Sequence, residues 1–210
     1  MVRKIVEKVP DKVLQKDLEK YRQRAIELGA TDAKIITSDM ILIDERVRVK
    51  CIQPKCEFYG TNANCPPHAI DLDLLRKVVN NFRYAIFIFQ KVPSEEMCGT
   101  DWQKPAVRSA VKLFKLVSKI ESEAFYDGYH LATGFGSGPC ILYFCQNQEC
   151  LVLSGQACRH PSRARSAMEG VGIDVFTMAA KVGWDVYPIG LTTQPSEVPH
   201  ASRLGLVLIY

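Results

Sequence analysis

No run of this chain approaches the roughly 18 consecutive apolar residues of a membrane-spanning helix. The first residues, MVRKIVEKVPDKV, carry basic side chains with no apolar stretch behind them, so they do not form a secretory signal. There is also little excess of either charge. Against 27 Lys and Arg stand 23 Asp and Glu, and a formal net charge of +4 is too small to suggest a nucleic-acid-binding face. Internal repeats, low-complexity tracts and Pro- or Gly-rich linkers are missing. So are tight C-x2-C pairs, the C-x3-C-x2-C spacing of radical enzymes, a G-x-G-x-x-G fingerprint and any spacing that names a Ser-His-Asp or paired-carboxylate site. These absences predict a cytoplasmic protein without a membrane anchor or nucleic-acid partner. At 210 residues, 47% hydrophobic and 24% charged, the chain is expected to form one domain over residues 1–210. A chain of that size buries roughly 70% of its unfolded surface without covalent staples.

Cysteine is what the chain does have. Seven of its eight cysteines fall in two clusters. Cys140, Cys145, Cys150 and Cys158 follow the segment Gly134-Phe135-Gly136-Ser137-Gly138-Pro139 and close on Arg159-His160-Pro161. Cys51, Cys56 and Cys65 lie earlier, the last followed by Pro66-Pro67-His68. Cys98 stands alone. In a reducing compartment clustered cysteines point to metal rather than to disulfides.

The later cluster reads C-x4-C-x4-C-x7-C, enough thiolates for one complete iron–sulfur cluster. The earlier one, C-x4-C-x8-C, is one ligand short. Its fourth position could fall to Cys98, to His68, to another protein or to a small molecule. Zinc is the alternative, since four cysteines or three with one histidine suit it. The lack of C-x2-C pairs favours iron–sulfur. Arg159, Arg163 and Arg165 follow the second cluster, and Arg46, Arg48, Lys50 and Lys55 surround the first. They would offset an anionic cluster, or else form a solvated face. His130 reads as a core histidine in a strand and His200 as a solvent-facing one.

The remainder reads as scaffold. Leu14, Leu18, Tyr21, Ala25 and Leu28 form one stripe of a helix from Asp11 to Leu28, with Asp11 as cap and Gly29 at its close. Ala33–Ile36 and Met40–Ile43 read as strands. The alternation through Arg46, Val47, Arg48, Val49, Lys50 and Cys51 predicts a third strand ending on the first thiol. Cys51–Pro67 is a loop. Asp71 caps a helix to Phe82, and Tyr84–Phe89 is a buried central strand. Pro105 opens the longest helix, to about Tyr126, and Tyr129–Thr133 is the strand that feeds the glycine segment. One or two helical turns are expected over Ser162–Gly170. Asp174 caps a short helix closed by Gly183, and Trp184–Ile189 and Arg203–Tyr210 read as strands. The alternation predicts an α/β fold, with α+β as its variant: a mixed sheet flanked by helices, carrying two cysteine-rich metal-binding loops.

The segments DERVRVKC, YGTNANCPPH, GFGSGPC and CRHPSRARSAMEGVGIDVF together resemble a family of uncharacterised predicted metal-binding proteins, domain of unknown function 2284. The resemblance runs from about Asp44 to Val182. It is most specific at Cys65-Pro66-Pro67, at Cys158-Arg159-His160-Pro161 and at Gly172-Ile173-Asp174-Val175. It implies Cys51, Cys56, Cys65, Cys140, Cys145, Cys150 and Cys158 as ligands. Two stretches depart from the family pattern. Cys140–Cys158 is longer than its spacing, and Ala167-Met168-Glu169 stands in place of Pro-Ser-Met-Glu, a difference read as bearing on helix entry rather than on metal. The functions that follow are an iron–sulfur protein, with one or two [4Fe-4S] clusters, that exchanges electrons with a redox partner protein; a zinc-stabilised interaction module; or an enzyme that uses the open three-cysteine site on a small molecule. Whether the chain is an enzyme stays open.

Overall fold

The computed structural model describes residues 2–98, 103–146, 148–190 and 192–210, with backbone alone over 103–106. Four strands form one sheet in the order β1 (Asp32–Thr37), β2 (Tyr84–Val92), β4 (Ala201–Leu208), β3 (Thr133–Phe135). β2 and β4 are inner strands, in keeping with their near-continuous apolar sequences. The sheet is antiparallel throughout rather than mixed: Phe87 lies opposite Lys34 on one side and Leu206 on the other, and Phe135 also pairs with Leu206. Helices between strands suggested parallel crossovers. The long β1–β2 connection instead returns the chain at the same end of the sheet, where Tyr84 lies opposite Thr37.

Alternation along the strands feeds two cores. On one face Ile86, Ile88 and Val207 pack with Leu14, Leu18, Tyr21 and Ala25 of α1 (Asp11–Glu27) and with Leu113, Val117, Ile120 and Ala124 of α4 (Gln103–Tyr126). On the other, Ala85, Phe87, Phe89, Leu204, Leu206 and Leu208 pack with α3 (Leu72–Asn80), α5 (Val175–Lys181) and the 168–173 segment. Helices therefore flank both faces, and the α/β class stands. No helix among the described residues is long and apolar enough to cross a membrane.

Capping works where an Asp meets free amides. Asp71 accepts from Asp73 N and Leu74 N, and Asp174 accepts from Thr177 N. α1 differs: Pro10 precedes it, Asp11 is already helical, and Leu28 is exposed beyond its last turn. α4 begins at Gln103, so Pro105 falls inside its first turn rather than opening it.

Four expected strands take other forms. Residues 46–51 belong to α2 (Glu45–Ile52), because Asp44 accepts a hydrogen bond from Arg46 N and starts a helix. Its valines alternate without any sheet to bury them, and Val49 stays exposed. Met40–Ile43 makes one bridge among the described residues, Ile43 to Ile173. Tyr129–Ala132 forms the turn that closes α4, so β3 begins at Thr133 and takes in the first two residues of the glycine segment. Trp184 stacks on Phe89 and donates from Nε1 to Asp32 Oδ2 (2.7 Å), and the chain to Ile189 runs beside the sheet without pairing. His130 is exposed rather than in a core, while His200 is half-buried edge-on to Tyr187 and Phe89.

Candidate metal centre

The first cysteine segment descends from the end of α2 as a chain of turns pivoted on cysteine carbonyls. Cys51 O accepts from Cys56 N (3.1 Å), Cys56 O from Tyr59 N (3.0 Å) and Cys65 O from Ala69 N (2.9 Å). Gly60 N bonds Pro66 O (2.7 Å) and closes the loop. Cys51, Cys56 and Cys65 then line one cavity of about 280 Å³. Its other walls come from Ser137, Gly138 and Pro139, from Tyr143, from Glu169 and Gly170, and from Arg203 of β4.

The second segment leaves β3 through the glycine run. At Gly134 a Cβ would collide with Val117 and Glu121, and at Gly136 with the Phe114 ring, so α4 packs against bare backbone here. Cys140 begins a helical turn over Ile141–Cys145, and a short 3-10 turn spans Leu151–Ser154. Cys140, Cys145, Cys150 and Cys158 all line a second cavity, of about 260 Å³.

Asn62, Ala63 and Asn64 are also walls of that second cavity, while the next residue, Cys65, faces the first. One turn therefore divides the two. Asn64 Nδ2 donates to Cys140 Sγ (3.3 Å), the Cys140 thiol faces Asn62 Oδ1 (3.8 Å), and Ser166 Oγ donates to Asn64 Oδ1 (3.1 Å). Asn62 is fully buried and Cys65 and Cys140 nearly so. The clusters are thus neighbours, although the first follows a helix rather than a strand.

Burial sets the thiol electrostatics. It pushes the Cys140 thiol up to about 12, against a weaker pull from the Asn64 amide. Cys51 is raised by burial and then by Cys56 and Glu169, with Arg48 opposing; Cys65 is raised by burial, with Asn62 opposing. Cys145 is raised by burial and by Cys158, and Arg159 pulls it back. Cys65 acts on Cys140 in the same way, so the charges of the two groups are felt across the turn. Such thiols stay protonated until a cation takes the proton's place.

The sequence-predicted cations divide. Arg48 and Arg159 act on Cys51 and Cys145. Arg46 is committed to Asp44, Arg165 to Glu121 (2.6 Å), and Lys55 lies over the Tyr59 ring. Arg163 is exposed. Of the fourth-ligand candidates, His68 is exposed and away from the first cavity. Cys98 is buried, but the charges it feels are Glu95 and Glu197 rather than other thiols.

Two polar residues of the first cavity were not singled out as ligands or charges in the sequence. Arg203 is almost completely buried in β4, donates from Nε to Ser109 Oγ (2.8 Å), and holds its guanidinium 5.7 Å from the Tyr143 ring centre. Glu169 is the second. The sequence does carry a signal for both: Glu169 sits inside the otherwise apolar AMEGVGI and Arg203 heads the apolar run RLGLVLIY, and buried charges need partners.

Among the described residues no three His, Cys, Asp or Glu side chains converge tightly enough to enclose an ion. The thiols instead ring two cavities, and as a donor set three and four soft sulfurs fit a thiophilic metal. Fold and site together define an α/β protein with a thiol-lined double cavity at one edge of its sheet. A sequence model of the family described as "Predicted metal-binding protein (DUF2284)" matches residues 34–209, and the chain belongs to that family. No curated protein and no solved structure matches it.

Proposed function

We propose that the protein is an iron–sulfur protein in which Cys140, Cys145, Cys150 and Cys158 hold one [4Fe-4S] cluster and Cys51, Cys56 and Cys65 hold a second, with electron transfer to a partner protein as the activity. The observation that carries the choice of iron–sulfur over zinc is the size of the cavities. A tetrahedral zinc site draws its sulfurs to about 2.3 Å from one ion. Here the thiols line cavities of about 280 and 260 Å³ rather than closing on one point. Space of that order suits a polynuclear cluster.

The chain's own residues have clear tasks in this reading. A cluster bound by thiolates supplies one-electron chemistry at a potential set by its surroundings. Asn64 donates to a ligand sulfur, and the backbone N–H of His160 does the same to Cys158 (3.3 Å). Arg203 offsets negative charge at the first cavity, and Arg48 and Arg159 do so nearer the surface. The single turn between the cavities puts both centres within one path for electrons. The outer cysteines, half-exposed, present the second centre to a partner.

The test is anaerobic purification with iron, sulfide and zinc counted per chain. About eight irons per chain, in a brown protein, is expected for two four-iron clusters. A colourless, zinc-loaded protein would overturn the proposal. A second reading, catalysis on a small molecule at the three-cysteine site, draws on the polar lining of the first cavity beyond its thiols. Reduction of a candidate substrate by the loaded protein would favour it.

A further inference from the structure

We infer that the Glu169 carboxylate is the fourth ligand of the metal centre at Cys51, Cys56 and Cys65. This rests on the metal reading above and concerns the position that the three thiols leave open.

Placement is the first argument. Glu169 begins a 3-10 turn whose continuation is tied to the start of α2: Asp44 N bonds Gly172 O (2.8 Å) and Asp174 N bonds Leu42 O (2.8 Å). Ile43 and Ile173 complete that seam as a bridge. The seam brings Glu169 beside the helix that delivers Cys51. Beyond it lies a further cavity of about 440 Å³, walled by Asp44, Lys50 and Ile173 among others. Cys51, Cys56 and Glu169 line both this cavity and the first. Two of the three thiols and the carboxylate are therefore parts of one partition.

The second argument is the state of the carboxyl. Glu169 keeps some accessible surface as a residue, yet its Oε2 is sealed from solvent and has no hydrogen-bond partner among the described residues. An acceptor left so is costly, and a native structure usually has a reason for it. A metal ion bound to Oε2 would supply the missing partner. The third argument is elimination: His68 and Cys98 do not reach this cavity, whereas Glu169 lines it.

The experiment loads the full chain anaerobically with ferrous iron and sulfide, then measures iron retained and the electron paramagnetic resonance of the reduced protein. Cys65→Ser defines the signal of the first centre by its loss. Glu169→Gln, nearly the same shape, is expected to lose that signal and to retain at least about tenfold less iron at the first centre, while the second centre's signal stays. Glu169→Cys is expected to restore the iron with a shifted spectrum. If Glu169→Gln keeps the first signal unchanged, or if Glu169→Cys fails to restore it, the assignment is overturned. If wild type shows no signal that Cys65→Ser removes, the metal reading itself fails and takes this inference with it.

Discussion

In the sheet, Ile86, Phe87 and Ile88 of β2 have no exposed surface, and each backbone pairs with β1 on one side and β4 on the other. The segments 51–67 and 140–161 are built differently. They are joined turn by turn through cysteine carbonyls and asparagine amides, line four cavities, and hold half-exposed thiols beside apolar side chains. The first region gains its order from apolar burial that any solvent condition near neutrality preserves. The second has hydrogen bonds and one small apolar cluster, Tyr143 and Phe144 against Phe114 of α4, set around open cavities, and its further order is expected to come from what fills them. The body should therefore fold without metal, and the thiol loops should become rigid only with it.

The largest effect expected lies in the body. Phe87→Ala removes a fully buried ring, 4.8 Å from the Trp184 ring. It should cost about 3–5 kcal/mol in denaturant unfolding, the range for buried Phe truncations. Iron retained per folded chain should not change. A variant that kept its stability but lost its metal would break the division between body and loops.

The next test acts on the loops alone. Cys65→Ser and Cys158→Ser should each abolish metal at one cavity, leave metal at the other, and leave the far-ultraviolet circular dichroism of the metal-free chain as in wild type. Hydrogen exchange sharpens the comparison: amides of 51–67 and 140–161 should lose protection when metal is stripped, and those of β2 and β4 should keep it. A chain that fails to fold when Cys65 is replaced would show instead that metal at the first loop is structural for the whole molecule.

This division also explains what could be read from the sequence. The Tyr84–Phe89 run and the Leu14/Leu18/Tyr21/Ala25 stripe report burial directly, because burial is what fixes those elements. The Asp71 and Asp174 caps were legible for a similar local reason. Residues 46–51 were not, since alternation has meaning only where a sheet face exists to bury one side, and the Asp44 cap decided the matter. Trp184–Ile189 reads as a strand, but its aromatic packs on the sheet instead of extending it. At the site, the membership of each thiol group was visible as spacing. That Asn64 would reach Cys140, 76 residues away, or that Glu169 and Arg203 would meet at the first cavity, was not. Those contacts depend on how the sheet and α2 place distant segments, and no local pattern encodes them.

A moderate effect is expected at the seam between the two cavities. Gly138 has φ +79°, and a Cβ there would collide with the Tyr143 hydroxyl. Tyr143 sits in the turn between Cys140 and Cys145 and also lines the first cavity. Gly138→Ala should cost about 1–3 kcal/mol from overpacking, with added backbone strain from the left-handed φ. It should weaken metal retention at both cavities, unlike either cysteine variant. Loss at one cavity alone would show that the turn transmits less than the shared walls suggest.

The smallest effect tests whether the scaffold positions the thiols through helix ends. Asp44 is held at about 2, against an ordinary value of 3.8, by the Arg46 side chain first and then the Arg46 backbone N–H. Its folded value is the lower one, so its contribution is present above about pH 4 and is lost as pH falls toward 2. In that window α2 should fray from its first turn. Asp44→Ala should do the same at neutral pH, read as faster exchange at first-turn amides such as Val47, which bonds Asp44 O. Because Cys51 lies in the last turn of α2, the variant should retain metal a few-fold less well at the first cavity and unchanged at the second. Equal loss at both would mean that α2 steadies the whole thiol face, and the independence of the two cavities would have to be given up.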